Sequence, residues 1–162
     1  LIRWSQQGGL AKIANPITSD HTVLRQYILP SLLRLLSANR HHELPQRVYE
    51  MGVVVRDSKN RDRGAWACAE VGSGFTSAKG IAQAMLRDLG AITENIEFKP
   101  TIAGHGPWIS GRGSSIMVRG EKVGEFGEIA PEVSGSFGLK SPIHAGEINL
   151  EVVGEMIPDP VT

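Results

Sequence analysis

The side chains in this sequence that could act as nucleophiles or metal ligands are one cysteine and five histidines. No two histidines have the i, i+4 helical spacing with an intervening acid that builds a zinc protease site; they are His21, His41, His42, His105 and His144. Cys68 is the single cysteine, so we expect no internal disulfide, no Cys-pair zinc site and a reducing compartment. It lies in an apolar run without an adjacent base. We therefore predict a buried thiol there, and no catalytic or metal-binding residue in either set.

Two other patterns resemble catalytic motifs but lack a defining part. Paired carboxylates can do acid–base chemistry, and four glutamates lie near a predicted hairpin: Glu121, Glu125, Glu128 and Glu132. The strand alternation at Glu125 and the strand end at Glu128 favour a solvated face instead. The segment Gly111-Arg112-Gly113-Ser114-Ser115 resembles a phosphate-binding loop. It lacks the G-K-[ST] ending and leads into a strand rather than a helix, so a structural bend is the favoured interpretation. No serine lies in the G-x-S-x-G elbow of a hydrolase.

Length and charge exclude several classes of protein. The chain has 162 residues with 17 Lys plus Arg and 17 Asp plus Glu, which is ordinary composition at one-domain length. A net charge of zero disfavours nucleic-acid binding through a basic face. No apolar run approaches the ~20 residues that span a bilayer, so we expect no membrane association. The chain begins without Met or a signal-peptide pattern and is expected to be one domain, residues 1–162, of a longer cytoplasmic protein.

The first half of the sequence predicts strands around one leucine-rich helix. A strand is expected at residues 10–14, and a helix should run from near Pro30 to about Asn39. The inward stripe of that helix is expected to comprise Leu24, Ile28, Leu32, Leu35 and Leu36, with Asp20 as a possible cap. The run from Gln46 to Arg56 is rich in β-branched residues and should be a central strand. A loop at residues 57–64 and a strand at residues 65–72 should follow.

The second half predicts one further helix and a series of strands. Ser77 should cap a helix that runs to Leu89, with an inner face of Ile81, Met85, Leu86 and Leu89. Strands are expected at residues 96–98, 114–119, 122–129 and 143–153, with a type II′ turn at Gly120-Glu121. A brief helix should begin at Pro131. These elements predict an α+β fold with a mainly antiparallel sheet flanked by helices.

Several segments follow one another in an order and spacing that are specific to one family. They are Asn15-Pro16, Thr22-Val23-Leu24-Arg25, Ile28-Leu29-Pro30-Ser31-Leu32-Leu33, Ala38-Asn39, Val48-Tyr49-Glu50-Met51-Gly52-Val53-Val54, Gly111-Arg112-Gly113, Val123-Gly124-Glu125-Phe126-Gly127-Glu128-Ile129, Pro131-Glu132-Val133, Phe137-Gly138-Leu139 and Glu147-Ile148-Asn149-Leu150-Glu151. This series resembles the C-terminal catalytic-like module of phenylalanyl-tRNA synthetase β subunits of the archaeal and eukaryotic type. Ala130 replaces a common His, and Ser31 a common Gly.

The resemblance implies the fold of a class II aminoacyl-tRNA synthetase catalytic domain in a module that is itself not catalytic. It implies assembly with the α subunit, in a heterotetramer of two α and two β, of an enzyme that uses ATP and magnesium to attach phenylalanine to its tRNA. No cofactor is expected to bind this chain. The sequence leaves two alternatives open: a regulatory domain that binds a small molecule, and a stand-alone ATP-dependent ligase.

Two features of the sequence bear on the absence of catalysis. Class II enzymes hold ATP with a strand arginine, followed two residues later by Glu, and with a second arginine that begins a late helix. Arg56 stands at the first place, but Ser58 replaces the Glu. After the last predicted strand, Pro158 and Pro160 argue against the late helix. We therefore predict no ATP-binding or catalytic residue.

A module without catalytic groups should present a surface to its partner. Three apolar residues lie off the predicted inward stripe of the leucine-rich helix and are the candidates for that interface: Tyr27, Leu29 and Leu33. The alternative is that a second layer of the same domain covers them.

Overall fold

The computed structural model describes residues 25–72, 74–91 and 93–155. Within them, helix α1 (Leu29–Ala38) precedes the hairpin of strands β1 (Gln46–Arg56) and β2 (Lys59–Ala69). Helix α2 (Phe75–Asp88), a 3₁₀ turn (Thr93–Asn95) and strand β3 (Ile96–Pro100) follow. The remaining elements are β4 (Trp108–Val118), β5 (Glu121–Ile129), α3 (Pro131–Ser136), β6 (Ile143–Asn149) and α4 (Leu150–Glu155).

The six strands form one sheet in the order β1-β2-β6-β5-β4-β3, and every neighbouring pair is antiparallel. The last strand, β6, lies between the β1–β2 hairpin and the β3–β4–β5 meander and so joins the two halves of the chain. This architecture confirms the predicted α+β class with an antiparallel sheet flanked by helices.

Two apolar layers cover the two faces of the sheet. On one face, α1 packs on alternate residues of the central strands, including Ala65, Ala67 and Ala145. On the other, α2 packs with Ala78, Ala82 and Leu86 against a cluster that includes Trp66 and Phe126. Because successive side chains of a strand point to opposite faces, β2 contributes its odd-numbered residues to the first layer and its even-numbered residues to the second. We call these the α1 face and the α2 face.

Helix α1 has the predicted span, but its buried stripe is rotated from the predicted one. Pro30 occupies its first turn, where a missing N–H costs nothing. Leu32 and Leu36 are buried as expected, whereas Leu35 is 45% exposed, so its assignment to the core was wrong. The helix meets the sheet along Leu29, Leu32, Leu33 and Leu36, because these residues recur at i, i+3, i+4 and i+7. The strand predicted at residues 10–14, Asp20 and Leu24 lie outside the described residues.

Strand β1 is an edge strand, so its predicted central position was wrong. Only alternate residues such as Val48 and Val54 pack on the α1 layer. The residues between them, Tyr49, Met51 and Val53, are 61%, 70% and 47% exposed. A high density of β-branched and aromatic residues therefore indicated strand conformation here but not burial on both faces.

The predicted loop at residues 57–64 is instead a tight turn followed by the first part of β2. Arg56 pairs with Lys59, and both intervening residues, Asp57 and Ser58, have positive φ of 52° and 60°. The hairpin between β4 and β5 has the same character, since Arg119 and Gly120 have φ of 49° and 82°. Positive φ at both central residues is the type I′ turn, which corrects the predicted type II′ turn.

Two element boundaries differ from the prediction for local reasons. Helix α2 begins at Phe75 after an extended Gly74, so Ser77 lies inside the helix rather than capping it. Strand β6 ends at Asn149, whose Oδ1 accepts a hydrogen bond from the Glu151 amide at 3.0 Å. This side chain caps α4, so the strand predicted to reach Val153 turns into a helix four residues earlier. The structure therefore does place a short helix after the last strand, and that helix contains no arginine.

The glycine-rich segment is a structural bend, as predicted. Gly111 has φ of 79° inside β4, and the register with β5 shifts between Trp108 and Gly113. Such a bulge bends a strand and increases its twist. No helix within the described residues has both the length and the apolar character that crossing a membrane requires.

Candidate functional site

A cavity of about 220 Å³ opens on the α1 face, beside the start of α1. Its lining combines aromatic, charged and apolar residues from five strands, the start of α1 and the segment before it: Tyr27, Leu29, Arg56, Arg63, Trp108, Lys122, Val123, Gly124, Glu125 and Glu147. The chemistry available there depends on which of these charges are already engaged with the protein.

Glu147 is the most deeply buried carboxylate of the cavity, with its side chain 5% exposed. Its Oε1 accepts hydrogen bonds from the amides of Ile28 and Leu29, each at 2.8 Å. Its Oε2 accepts one from Arg63 Nε at 2.5 Å. Burial raises the pKa of Glu147, while Arg63 and the two amides act in the opposite direction. The carboxylate thus caps α1, whose first amides have no partner within the helix.

The remaining charges around the cavity also have protein partners. The Arg56 guanidinium lies 5.2 Å from the centre of the Tyr27 ring, and that of Arg63 lies 5.9 Å from it. Both are cation–π distances. Burial raises the pKa of Tyr27, which keeps its hydroxyl protonated. Each of these groups is used by the fold, and none is paired as a nucleophile with a general base.

The far wall of the cavity is closed by Glu125. It accepts a hydrogen bond from Trp108 Nε1 at 2.9 Å and forms an ion pair with Lys122. A neighbouring carboxylate, Glu128, pairs with Arg112 at 2.8 Å and is only 13% exposed. The predicted solvated face is therefore wrong for these two glutamates, because β5 is an inner strand. Glu121 and Glu132 are exposed, as predicted.

The three residues predicted as a partner interface do not form an exposed surface. Leu29 and Leu33 are fully buried in the core under α1, and Tyr27 is half-buried and lines the cavity. The domain's own second layer covers the two leucines, which is the alternative stated from the sequence. Arg56 also lines the cavity at the end of β1, and Ser58 lies in the turn beyond it.

Sequence reasoning missed Arg63 and Glu147. Arg63 was assigned to a loop, and Glu147 was treated only as part of a strand. A signal for Glu147 did exist, since it is a charged residue inside a mainly apolar run, residues 143–148, all of which the structure buries. A charge in such a position needs a partner, which identifies it as part of a polar network.

On the α2 face, Cys68 is buried and free, as predicted. Burial raises the pKa of its thiol to about 11, so it is not an activated nucleophile. Of the histidines, His41, His42 and His105 are exposed, His144 is 1% exposed, and His21 lies outside the described residues. Burial lowers the pKa of His144, so its ring is neutral.

Residues 3–150 match the family model of the phenylalanyl tRNA synthetase beta chain CLM domain. The chain belongs to this family. Curated relatives named phenylalanine–tRNA ligase beta subunit include those of Methanococcoides burtonii, 41% identical over 85% of this chain, and Methanopyrus kandleri, 37% identical over 92%. The relative from Archaeoglobus fulgidus is 40% identical over 90% of the chain. The chain spans about a quarter of the length of these β subunits, at 25% to 26% of each.

The fold of this chain is similar to that of a solved aminoacyl-tRNA synthetase. A pyrrolysyl-tRNA synthetase from Desulfitobacterium hafniense matches with a TM-score of 0.68, covering 89% of this chain and 51% of that one at 12% identity. At this level of identity the likeness concerns fold alone, and it confirms the predicted class II synthetase catalytic-like architecture. The arginine at the end of β1 and the cavity beside it therefore belong to a synthetase-like scaffold.

Proposed function

We propose that residues 1–162 form a non-catalytic structural module of the β subunit of a cytoplasmic phenylalanine–tRNA ligase. In this proposal the module supports assembly with the α subunit, in a complex of two α and two β subunits. The complete enzyme attaches phenylalanine to its tRNA with ATP and magnesium, and the reacting groups lie on the α subunit. The tRNA is a ligand of the complete enzyme.

The observation that carries the non-catalytic part is the state of the charged groups around the cavity. Catalysis of acyl or phosphoryl transfer needs charges held in place for the substrate. Here Glu147 and Arg63 bind each other and the start of α1, and Glu125 is engaged by Trp108 and Lys122. Ser58 stands two residues after Arg56, so the glutamate that the family resemblance places there is missing. These contacts support a cavity that stabilises the module.

The surface that we assign to assembly is the face of β1 that points away from the α1 layer. Tyr49, Met51 and Val53 point the same way and are 61%, 70% and 47% exposed. They lie on an edge strand, whose Val53 carbonyl and Val55 amide are already hydrogen-bonded to Arg25, so the side chains rather than the strand edge form the candidate surface. An exposed row of apolar side chains is typical of an interface. We assign this row to contact with the α subunit.

Co-purification of the α subunit with the full-length β subunit tests the assembly proposal. The variant carries Tyr49→Lys and Met51→Lys, which place two charges in the proposed contact without touching a buried residue. We expect the variant to retain its circular dichroism spectrum and to lose the bound α subunit.

The matched control carries Val71→Lys and Ile102→Lys, since these apolar residues are 86% and 71% exposed and lie outside β1. We expect this control to bind the α subunit normally. A folded Tyr49→Lys, Met51→Lys variant that still binds the α subunit as well as the control would refute the assignment of this surface.

A further inference from the structure

We propose that Cys68, Glu70 and His144 form a zinc-binding site between strands β2 and β6. A sulfur, a carboxylate oxygen and a ring nitrogen of these residues all lie within 4.8 Å of one another. This site is separate from the cavity on the α1 face and does not depend on assembly with the α subunit.

The sheet register brings the three side chains together. Cys68 and His144 are direct cross-strand partners on β2 and β6. Their side chains point to the same face, because opposite residues of an antiparallel pair share a face. Glu70 follows Cys68 by two residues and therefore lies on that face as well. Two of the three donors are thus held by the central strands of the sheet.

The burial of His144 is the observation that points to a ligand. The residue is 1% exposed, and its Nδ1 has no hydrogen-bond partner among the described residues. Leaving a buried polar atom unsatisfied is costly, and native structures rarely do so without a reason such as a bound ion. Cys68 beside it is fully buried. A metal ion coordinated by the ring would account for a polar group in this apolar layer.

The donor set favours zinc. Thiolate and imidazole suit Zn²⁺, and a carboxylate is a frequent third ligand. The ligand atoms of a tetrahedral zinc ion lie about 3.3 to 3.8 Å apart, so the three side chains need to close by roughly 1 Å. Cys68 binds as the thiolate, and its proton passes to solvent. The fourth position is occupied by water, on the partly exposed side where Glu70 lies.

Arg47 acts as the outer partner of Glu70 in this site. It forms an ion pair with one oxygen of Glu70, leaving the other for the metal. Such outer hydrogen bonds orient metal-binding carboxylates. The Arg47 side chain is 56% exposed, so solvent screens its charge from the ion.

Metal binding by the full-length protein tests the site. The protein is stripped with a chelator and titrated with Zn²⁺ or with Co²⁺, which reports thiolate coordination by a sulfur-to-cobalt charge-transfer absorption. We expect one tightly bound zinc per chain and this absorption in the wild type. Cys68→Ala should abolish the absorption, and zinc affinity in Cys68→Ala or His144→Asn should fall by at least about tenfold.

Two further variants keep the test decisive. Glu70→Gln changes a partly exposed ligand without opening the core, so it should fold, retain the sulfur-to-cobalt absorption and bind zinc about tenfold more weakly. The double variant His41→Asn, His42→Asn removes the exposed histidine pair and should bind like the wild type. A wild-type cobalt complex without the sulfur absorption would overturn the proposal. Zinc binding that survives Cys68→Ala but is lost in the His41, His42 variant would also overturn it.

Discussion

Glu147 connects three parts of the chain through one carboxylate. It lies on β6, accepts hydrogen bonds from the amides at the start of α1 and forms an ion pair with Arg63 of β2. The two side chains of the ion pair are 8% and 5% exposed. A buried ion pair adds little stability compared with apolar residues of the same size, but breaking it leaves a charge without compensation.

Arg63→Met should therefore lower the free energy of unfolding by about 3 to 5 kcal/mol, because it leaves the Glu147 carboxylate buried without its cation. Urea denaturation measures this change. The matched control is Arg61→Met, two residues earlier on β2, where the pair with Glu151 is 38% and 35% exposed. Solvent screens that pair, so the control should cost at most about 1 kcal/mol. Equal losses in the two variants would contradict the assigned role of Glu147.

Gly146 is a second position where a single substitution should lower the stability of the fold. A methyl group at Gly146 would overlap with atoms of the buried Trp66 ring. Gly146→Ala should therefore destabilise the protein by about 1 to 3 kcal/mol or more, as overpacked cores do. Gly135 in α3 has open space around it, and Gly135→Ala should be neutral or stabilising. Thermal unfolding of the two variants distinguishes them, and a Gly146→Ala variant as stable as Gly135→Ala would show that the Trp66 packing is wrong.

At the scale of the elements, the orientation of α1 gives a direct comparison between adjacent leucines. Leu36 is 1% exposed and Leu35 is 45% exposed. Leu36→Ala should cost about 2 to 5 kcal/mol through lost burial and a residual cavity. Leu35→Ala should remain within about 0.5 kcal/mol of the wild type. Chemical denaturation would contradict the orientation if the larger loss came from Leu35.

Two local signals placed elements correctly. Pro30 placed the start of α1, and Pro131 placed α3. Other local details were wrong, namely the turn type at Gly120 and the start of α2, and the larger errors concern position in the assembled sheet. The strand from Gln46 to Arg56 was recognised, but its edge position depends on the pairing of β2 with β6, far along the chain.

The same distinction explains which parts of the site the sequence could predict. Arg63 and Glu147 are 84 residues apart and meet only because β2 pairs with β6. The stripe of α1 could not be oriented from leucine spacing, because leucines lie on more than one side of the helix. Burial of Cys68 followed from its apolar neighbours, whereas its position opposite His144 required the register.

At the scale of the whole molecule, the synthetase-like sheet carries a cavity whose charged side chains form ion pairs with one another. The family membership, the catalytic-like fold and the paired charges together support the proposal of a structural module. The most exposed apolar row of the sheet lies on β1, at the opposite end from β3. We propose that the reacting groups lie elsewhere in the complex. Arg56 is the residue that tests this, because it stands where class II enzymes have an ATP-binding arginine.

The direct test is phenylalanine-dependent exchange of pyrophosphate into ATP by the complex of α and full-length β subunits, with Arg56→Ala in the β subunit. Subunit composition by gel filtration confirms that the variant complex is intact. We predict an exchange rate within about twofold of the wild type, because no contact with the reacting groups is removed. A loss of about 100-fold in an intact complex, the size expected for a lost transition-state contact, would contradict the account.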